Sequence, residues 1–264
     1  MPAHDLTALS TAWPAIIDTV ERETGTKCDR FRKAVFHDRN YTPSTENVPV
    51  QNPLYMTVPG IEAKPWWSIE DFDDPYRKHL GTLSSLQQTF VGEFQTNAPQ
   101  IDFDGPARTG YFGTNAGWRI FPFLNEASEP VPLASRIFPE TARLLGDMRA
   151  DDLVAKCHFS VLKPGAKIAV HCGAVNYELR LHYGLNIPKG DIALKVGGEA
   201  RPWQNGVASI FDDTFPHEVW NNTDQDRHIL HCRLLHPGLS ADERRATYRI
   251  NDLMNTVLQT AKVG

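Results

Sequence analysis

The segment ELRLHYGLNI, residues 178–187, decides how this chain is read. Its apolar positions recur at every second residue. Leu179, Leu181, Tyr183 and Leu185 share one face, and Arg180, His182 and Gly184 share the other. That is the period of an extended strand, in which successive side chains point to opposite sides. A strand with Arg and His together on one face does not aim that face at an apolar core. The segment is therefore predicted to bury its Leu/Tyr face and to line a polar space with the other.

Outward from this strand the same texture continues. Short β-type runs are predicted over 155–163, 167–171, 178–187, 192–197, 207–211, 217–221 and 227–235, separated by Gly, Pro and Asn. Many short strands at this spacing suit a sandwich or a jelly roll. Amphipathic helices are predicted over 7–26 (Leu9, Trp13, Ile16, Ile17, Val20) and over 75–98 (Leu80, Leu83, Leu86, Phe90, Phe94). Two more are expected over 139–149, where Pro139 suits a first turn, and over 241–261. Residues 38–65, rich in Pro, Asn, Thr and Gly, read as loop or extended chain. The fold class is thus mainly β with flanking helices, without internal repeats.

Composition narrows the function. The 264 residues are 41 % hydrophobic and 22 % charged, enough for a substantial core without staples. A net charge of −5 offers no basic excess to meet phosphates, which argues against nucleic-acid or anionic-membrane partners. Cys28, Cys157, Cys172 and Cys232 are scattered, without a CxxC pair, and read as reduced thiols. The N-terminal residues lack a basic segment followed by an apolar one, and no run approaches the ~20 apolar residues of a membrane span. A cytoplasmic protein is expected.

Seven of the ten histidines lie between 158 and 236. A histidine in a β-domain is usually a partly buried or surface residue, so clustering alone says little. Context says more: His171 ends one predicted strand and His217 opens another. Strands distant in sequence become neighbours in a jelly roll, so the two can meet at one mouth, and neutral imidazole suits iron, zinc or copper. The carboxylate that commonly follows such a first histidine by two residues is absent, because Gly173 stands there. The Asp212-Asp213 turn reads first as a solvated loop with Asx hydrogen bonds, and secondly as a device that orients His217. Strand alternation turns Cys172 and Glu218 away from the metal position.

The segments HFSVLKPGAKIAVHCGAVNYELRLHYGLNIP (158–188) and WQNGVASIFDDTFPHEVWNNTDQDRHILHCRLLHPGLSADERR (203–245) resemble the aspartyl/asparaginyl β-hydroxylase family of Fe(II)/2-oxoglutarate-dependent oxygenases. VPGIEAKPWW (58–67) and GWRIFPF…FPETARLL (117–145) resemble it too, in the family's order. The resemblance implies a double-stranded β-helix, cupin-like domain over 58–264. Residues 1–57 would add an N-terminal helix and extended segment packed on that core. It implies Fe(II), 2-oxoglutarate and O2 as cofactor and co-substrates, with a small-molecule or peptide substrate; oligomeric state stays open.

Residue by residue, the resemblance implies that His171 and His217 are the iron ligands and that water takes the place of the carboxylate missing at Gly173. Arg227 and Ser160 would hold the far carboxylate of 2-oxoglutarate. Arg180 and His182 would stand at the reacting end, and Trp67, or its neighbour Trp66, would lie near the co-substrate. The chemistry agrees, since a dicarboxylate in a barrel needs a cation at its far end and Arg supplies a planar two-donor fork. The ordinary reading of Arg227 alone is an exposed strand arginine in a surface salt bridge.

Two positions depart from the family. Where members acting on acidic side chains place cations, two residues before Arg180 and two before Ser160, this chain has Glu178 and His158. A carboxylate there is expected to repel an acidic substrate. No repeat region or membrane anchor is expected ahead of the domain. A free or carrier-bound amino acid, or another small metabolite, is therefore expected rather than a folded protein, with desaturation or ring closure as variants of hydroxylation. Two alternatives stay open: a cupin-like metalloenzyme without 2-oxoglutarate, and a non-catalytic jelly-roll binding protein.

Overall fold

The alternation of ELRLHYGLN is realised as strand β7, with its apolar residues facing helices and its Arg and His facing inward. The computed structural model describes residues 3–37, 50–101, 103, 117–125 and 128–261. Of the predicted 38–65 loop, residues 38–49 lie outside the described residues. The strands in chain order are β1 (Val35–Phe36), β2 (Met56–Thr57), β3 (Trp66–Trp67), β4 (Trp118–Pro122), β5 (Val154–Leu162), β6 (Lys167–His171), β7 (Glu178–Asn186), β8 (Ile192–Val196), β9 (Glu199–Arg201), β10 (Ala208–Phe211), β11 (His217–Asn221) and β12 (Arg227–Leu235). The helices are α1 (Ala3–Thr24), α2 (Asp29–Arg32), α3 (Tyr76–Ser85), α4 (Gln87–Asn97), α5 (Pro132–Ile137), α6 (Pro139–Ala150) and α7 (Ala241–Thr260).

A six-stranded antiparallel sheet runs β3-β10-β7-β12-β5-β4, and a four-stranded one runs β6-β11-β8-β9. From β5 to β12 the chain passes back and forth between the two, which makes the double-stranded β-helix. The outer face of the larger sheet carries Leu179, Leu181, Tyr183, Leu230, Cys232, Leu234, Cys157 and Phe159. α3, α4 and α6 cover it with Leu80, Leu83, Phe90, Phe94, Leu144 and Leu145. Each such side chain contributes ~1.5–3 kcal/mol on burial. A second apolar cluster joins α1 to α7 through Leu9, Trp13, Ile17, Ile250 and Met254. α7 starts with Ser240 and Glu243 bonded to each other's backbone N–H. Glu243 also pairs with Arg30 of α2, tying the two ends of the chain together.

The long predicted helix over 75–98 is two helices, broken at Leu86. Leu86 leaves the apolar face and is 38 % exposed, while Phe90 and Phe94 turn onto Tyr183 and Phe159. The short strands β3, β4 and β9 and helix α5 escaped the periodicity because each is too brief to show one. No helix among the described residues is long and apolar enough to cross a membrane.

Candidate active site

The last residue of β6 and the first of β11 are direct cross-strand partners: His171 faces His217. Their rings lie 4.0 Å apart between centroids, at 51°. Each ring uses Nδ1 on a backbone carbonyl two residues back, His171 on Ala169 at 2.8 Å and His217 on Phe215 at 3.0 Å. A carbonyl only accepts, so each ring proton sits on Nδ1 and Nε2 carries the lone pair. Burial, then repulsion from His217, lowers the pKa of His171 to about 3. Burial lowers that of His217 to about 4, with Arg180 adding to the effect. Two neutral imidazoles side by side, each with its Nδ1–H held, are a donor set that fits a borderline transition metal. Among the described residues no group of three or more His, Cys, Asp or Glu side chains is arranged to hold a metal ion.

Gly173 is where a carboxylate could have joined them, and the space is already taken. A Cβ added there would stand 2.3 Å from the Asp213 Cγ. The Gly173 N–H donates to the Asp213 carbonyl at 2.6 Å, and the Asp213 carboxylate reaches Arg180 at 2.7 Å. The Asp212-Asp213 turn is thus buried, not solvated. Asp212 accepts from Thr214 and, at 3.0 Å, from Gln51, and burial raises its pKa to about 6. Burial also raises Asp213, against the pull of Arg180.

The inner face of the larger sheet supplies the remaining residues. Arg227, predicted in the bland case to be an exposed strand arginine, is only 2 % exposed. Its Nε and Nη1 have no hydrogen-bond partner among the described residues. Burial lowers its pKa to about 9, which still leaves it cationic at neutral pH. Its guanidinium carbon lies 4.8 Å from the centre of the Trp203 ring. Ser160, one strand over, accepts from the Trp118 indole at 2.9 Å. His182 is buried beside Phe211 and His231, and receives the Trp203 indole N–H on Nδ1 at 3.3 Å. His158 stacks on His231 at 4.4 Å. His228 and His236 point elsewhere, to Phe94 and to Trp67.

Arg180 and Glu178 belong to one ion cluster. Glu178 is fully buried and is held by Arg233, by Arg180 at 3.3 Å and by Asn251 at 3.1 Å. Burial alone would raise its carboxyl, but Arg233 and Arg180 outweigh that and keep it below the usual range. The charge expected to face an acidic substrate is therefore neutralised inside the sheet. Of the two tryptophans, Trp66 and not Trp67 lies on the site's face. Trp67 opposes Ile210 and packs on Phe72 in the helix-covered core, whereas Trp66 opposes Phe211, whose ring also touches His182 and His217. Strand alternation forces this choice. Trp118, Trp203, His231 and Arg233 were not singled out from the sequence. Arg233 and His231 share β12's alternation with Arg227, so that signal was available; an isolated Trp203 in a Pro- and Gly-flanked connection offers none.

The architecture is that of the cupin-like double-stranded β-helix, with its candidate site inside the barrel. Residues 83–237 match the family model described as Aspartyl/Asparaginyl beta-hydroxylase, and the chain belongs to that family. It is 30 % identical over 225 residues to the human aspartate beta-hydroxylase domain-containing protein 2, covering 82 % of this chain and 59 % of that protein. Human aspartyl/asparaginyl beta-hydroxylase is 38 % identical over 209 residues, covering 74 % of this chain and 26 % of its own length. The chain thus corresponds to part of each relative. Among solved structures, HygX from Streptomyces hygroscopicus with nickel and 2-oxoglutarate bound aligns over 56 % of this chain and 78 % of its own, at 10 % identity and a TM-score of 0.39.

Proposed function

We propose that this protein is an Fe(II)/2-oxoglutarate-dependent oxygenase acting on a C–H bond of an amino acid, an amino-acid-derived small molecule or a peptide. The overall reaction converts substrate C–H, 2-oxoglutarate and O2 into C–OH, succinate and CO2. One observation carries the reading: a fully buried arginine without a carboxylate partner among the described residues shares a barrel with a pair of neutral histidines. An unpaired buried guanidinium is costly unless a ligand anion completes it. His171 and His217 would hold the metal through Nε2. When bound, the iron would supply the O2 activation that oxidative decarboxylation requires. Arg227 would receive the far carboxylate, with the Ser160 hydroxyl beside it; Arg180 and His182 would serve the reacting end.

The buried Glu178–Arg233 pair supports a substrate other than a free acidic side chain, since Arg233 is already engaged by a buried carboxylate and Arg180 is given to the co-substrate end. The cupin-like alternative without 2-oxoglutarate leaves Arg227 unexplained. The test is Arg227→Ala. Losing one member of a desolvated charge pair typically costs ~2–5 kcal/mol, roughly 30- to several-thousand-fold in 2-oxoglutarate affinity, with metal content unchanged. Arg227→Lys should recover only part, because a point charge lacks the two-donor fork. Unchanged affinity in the alanine variant would move the cupin-like reading ahead.

A further inference from the structure

Trp203 sits in the connection between β9 and β10, against the apolar floor formed by Leu194, Phe211 and Ile229. Its surroundings are those of a core residue, but its polar contacts are not. The indole N–H donates to His182 Nδ1, and the ring lies beside the Arg227 guanidinium. These are two of the groups that the proposed function gives to the co-substrate, and Trp203 touches both.

The bond to His182 has a chemical consequence. An indole N–H only donates, so His182 Nδ1 must be the unprotonated nitrogen. In the neutral ring the proton then sits on Nε2, which makes that atom a donor. This is the opposite tautomer to His171 and His217, and it is the polarity an anionic oxygen requires. The contact with Arg227 acts on the other group. A flat ring 4.8 Å from the guanidinium carbon attracts the cation and limits its rotation without using an N–H.

The backbone is shaped to bring Trp203 there. Gly184 lies two residues past His182 on the same face of β7, and a Cβ at Gly184 would stand 2.1 Å from the Gln204 carbonyl oxygen. Only a residue without a side chain lets the 203–205 segment lie this close. The Gly206 N–H then donates to the Gly184 carbonyl at 2.8 Å, and the Gly184 N–H to Val207 at 3.2 Å.

We propose that Trp203 is a positioning residue for the co-substrate: its indole N–H fixes His182 as an Nε2–H donor, and its ring holds the Arg227 fork. The proposal rests on the 2-oxoglutarate reading above, and the test separates the two. Histidine-15N labelled, metal-free full-length protein should show His182, identified by its loss in His182→Phe, with the proton on Nε2. Trp203→Phe keeps a ring over Arg227 but removes the N–H, so His182 should become a mixture of tautomers. On Mn(II)-loaded protein, calorimetry should find 2-oxoglutarate bound roughly two- to tenfold more weakly by Trp203→Phe. Trp203→Leu, which also loses the cation–ring contact, should be weaker again. In a His182→Phe background, Trp203→Phe should add no loss, whereas a plain core residue would add its own.

Wild-type His182 protonated on Nδ1 overturns the proposal without any variant. So does a Trp203→Phe protein with unchanged tautomer and affinity while the wild type binds 2-oxoglutarate. If the wild type does not bind 2-oxoglutarate at all, the functional reading itself falls, and the proposal with it.

Discussion

His171 and His217 on the smaller sheet and His182 on the larger one carry the same side chain in opposite states. The first two donate through Nδ1 to carbonyls two residues earlier in their own strands or turns. His182 accepts on Nδ1 from an indole that lies 21 residues away in sequence. The smaller sheet thus orients its histidines by local backbone, and the larger sheet orients His182 and Arg227 by packing against a distant segment. Local orientation survives changes elsewhere in the barrel, because a backbone carbonyl cannot be mutated away. Orientation by distant side chains is open to variation, one route by which one fold can serve different substrates.

The largest effect should come from the local half. His171→Ala or His217→Ala is expected to abolish metal binding and turnover while leaving the melting temperature within a few degrees of the wild type. Metal analysis together with calorimetry checks both parts. Stoichiometric metal in either variant would mean that the smaller sheet is not the metal-bearing one.

On the larger sheet the next effect is the Glu178 cluster. Glu178→Gln should destabilise the protein by about 3 kcal/mol, the lower end of the ~3–5 kcal/mol for breaking a buried pair. The lower end applies because the Arg233 side chain remains 24 % exposed. The pH dependence has a definite sign. Because Glu178 is depressed below its ordinary value in the folded state, its contribution is fully present above the unfolded carboxyl pKa. It is lost as pH falls through the lower folded value, so the gap between wild type and Glu178→Gln should narrow on acidification. Urea unfolding at about pH 7 and about pH 4 measures it. A gap that widens in acid would show that the carboxylate is not held by the arginines.

The smallest effect concerns the junction of the two halves, where Gly173 beside His171 and His217 meets Asp213 beside Arg180. Gly173→Ala should cost about 1–3 kcal/mol, because its Cβ enters the space of the Asp213 carboxylate. Gly173→Asp should not raise turnover, although it restores the commoner three-ligand set. Higher turnover in Gly173→Asp would show that the Asp213 carboxylate gives way easily, and that the halves are less tightly joined than the packing implies.

Alternation in ELRLHYGLNI told which residues of β7 face inward, and the strands ending at His171 and starting at His217 were readable to within a residue or two. The positions of those histidines, of Arg227 and of the missing carboxylate at Gly173 lie in the amino-acid order itself, because period and spacing are local properties of a chain. Which strands become neighbours is not local. Only the folded barrel set Arg233 against Glu178, put the Asp213 carboxylate in the space beside Gly173, and turned Trp66 rather than Trp67 toward the site. Trp203 illustrates the limit most clearly. It belongs to no repeating pattern, and it reaches His182 and Arg227 only because Gly184 lets one segment lie on another. Periodicity states which face a side chain takes; the register between distant strands decides what it meets there.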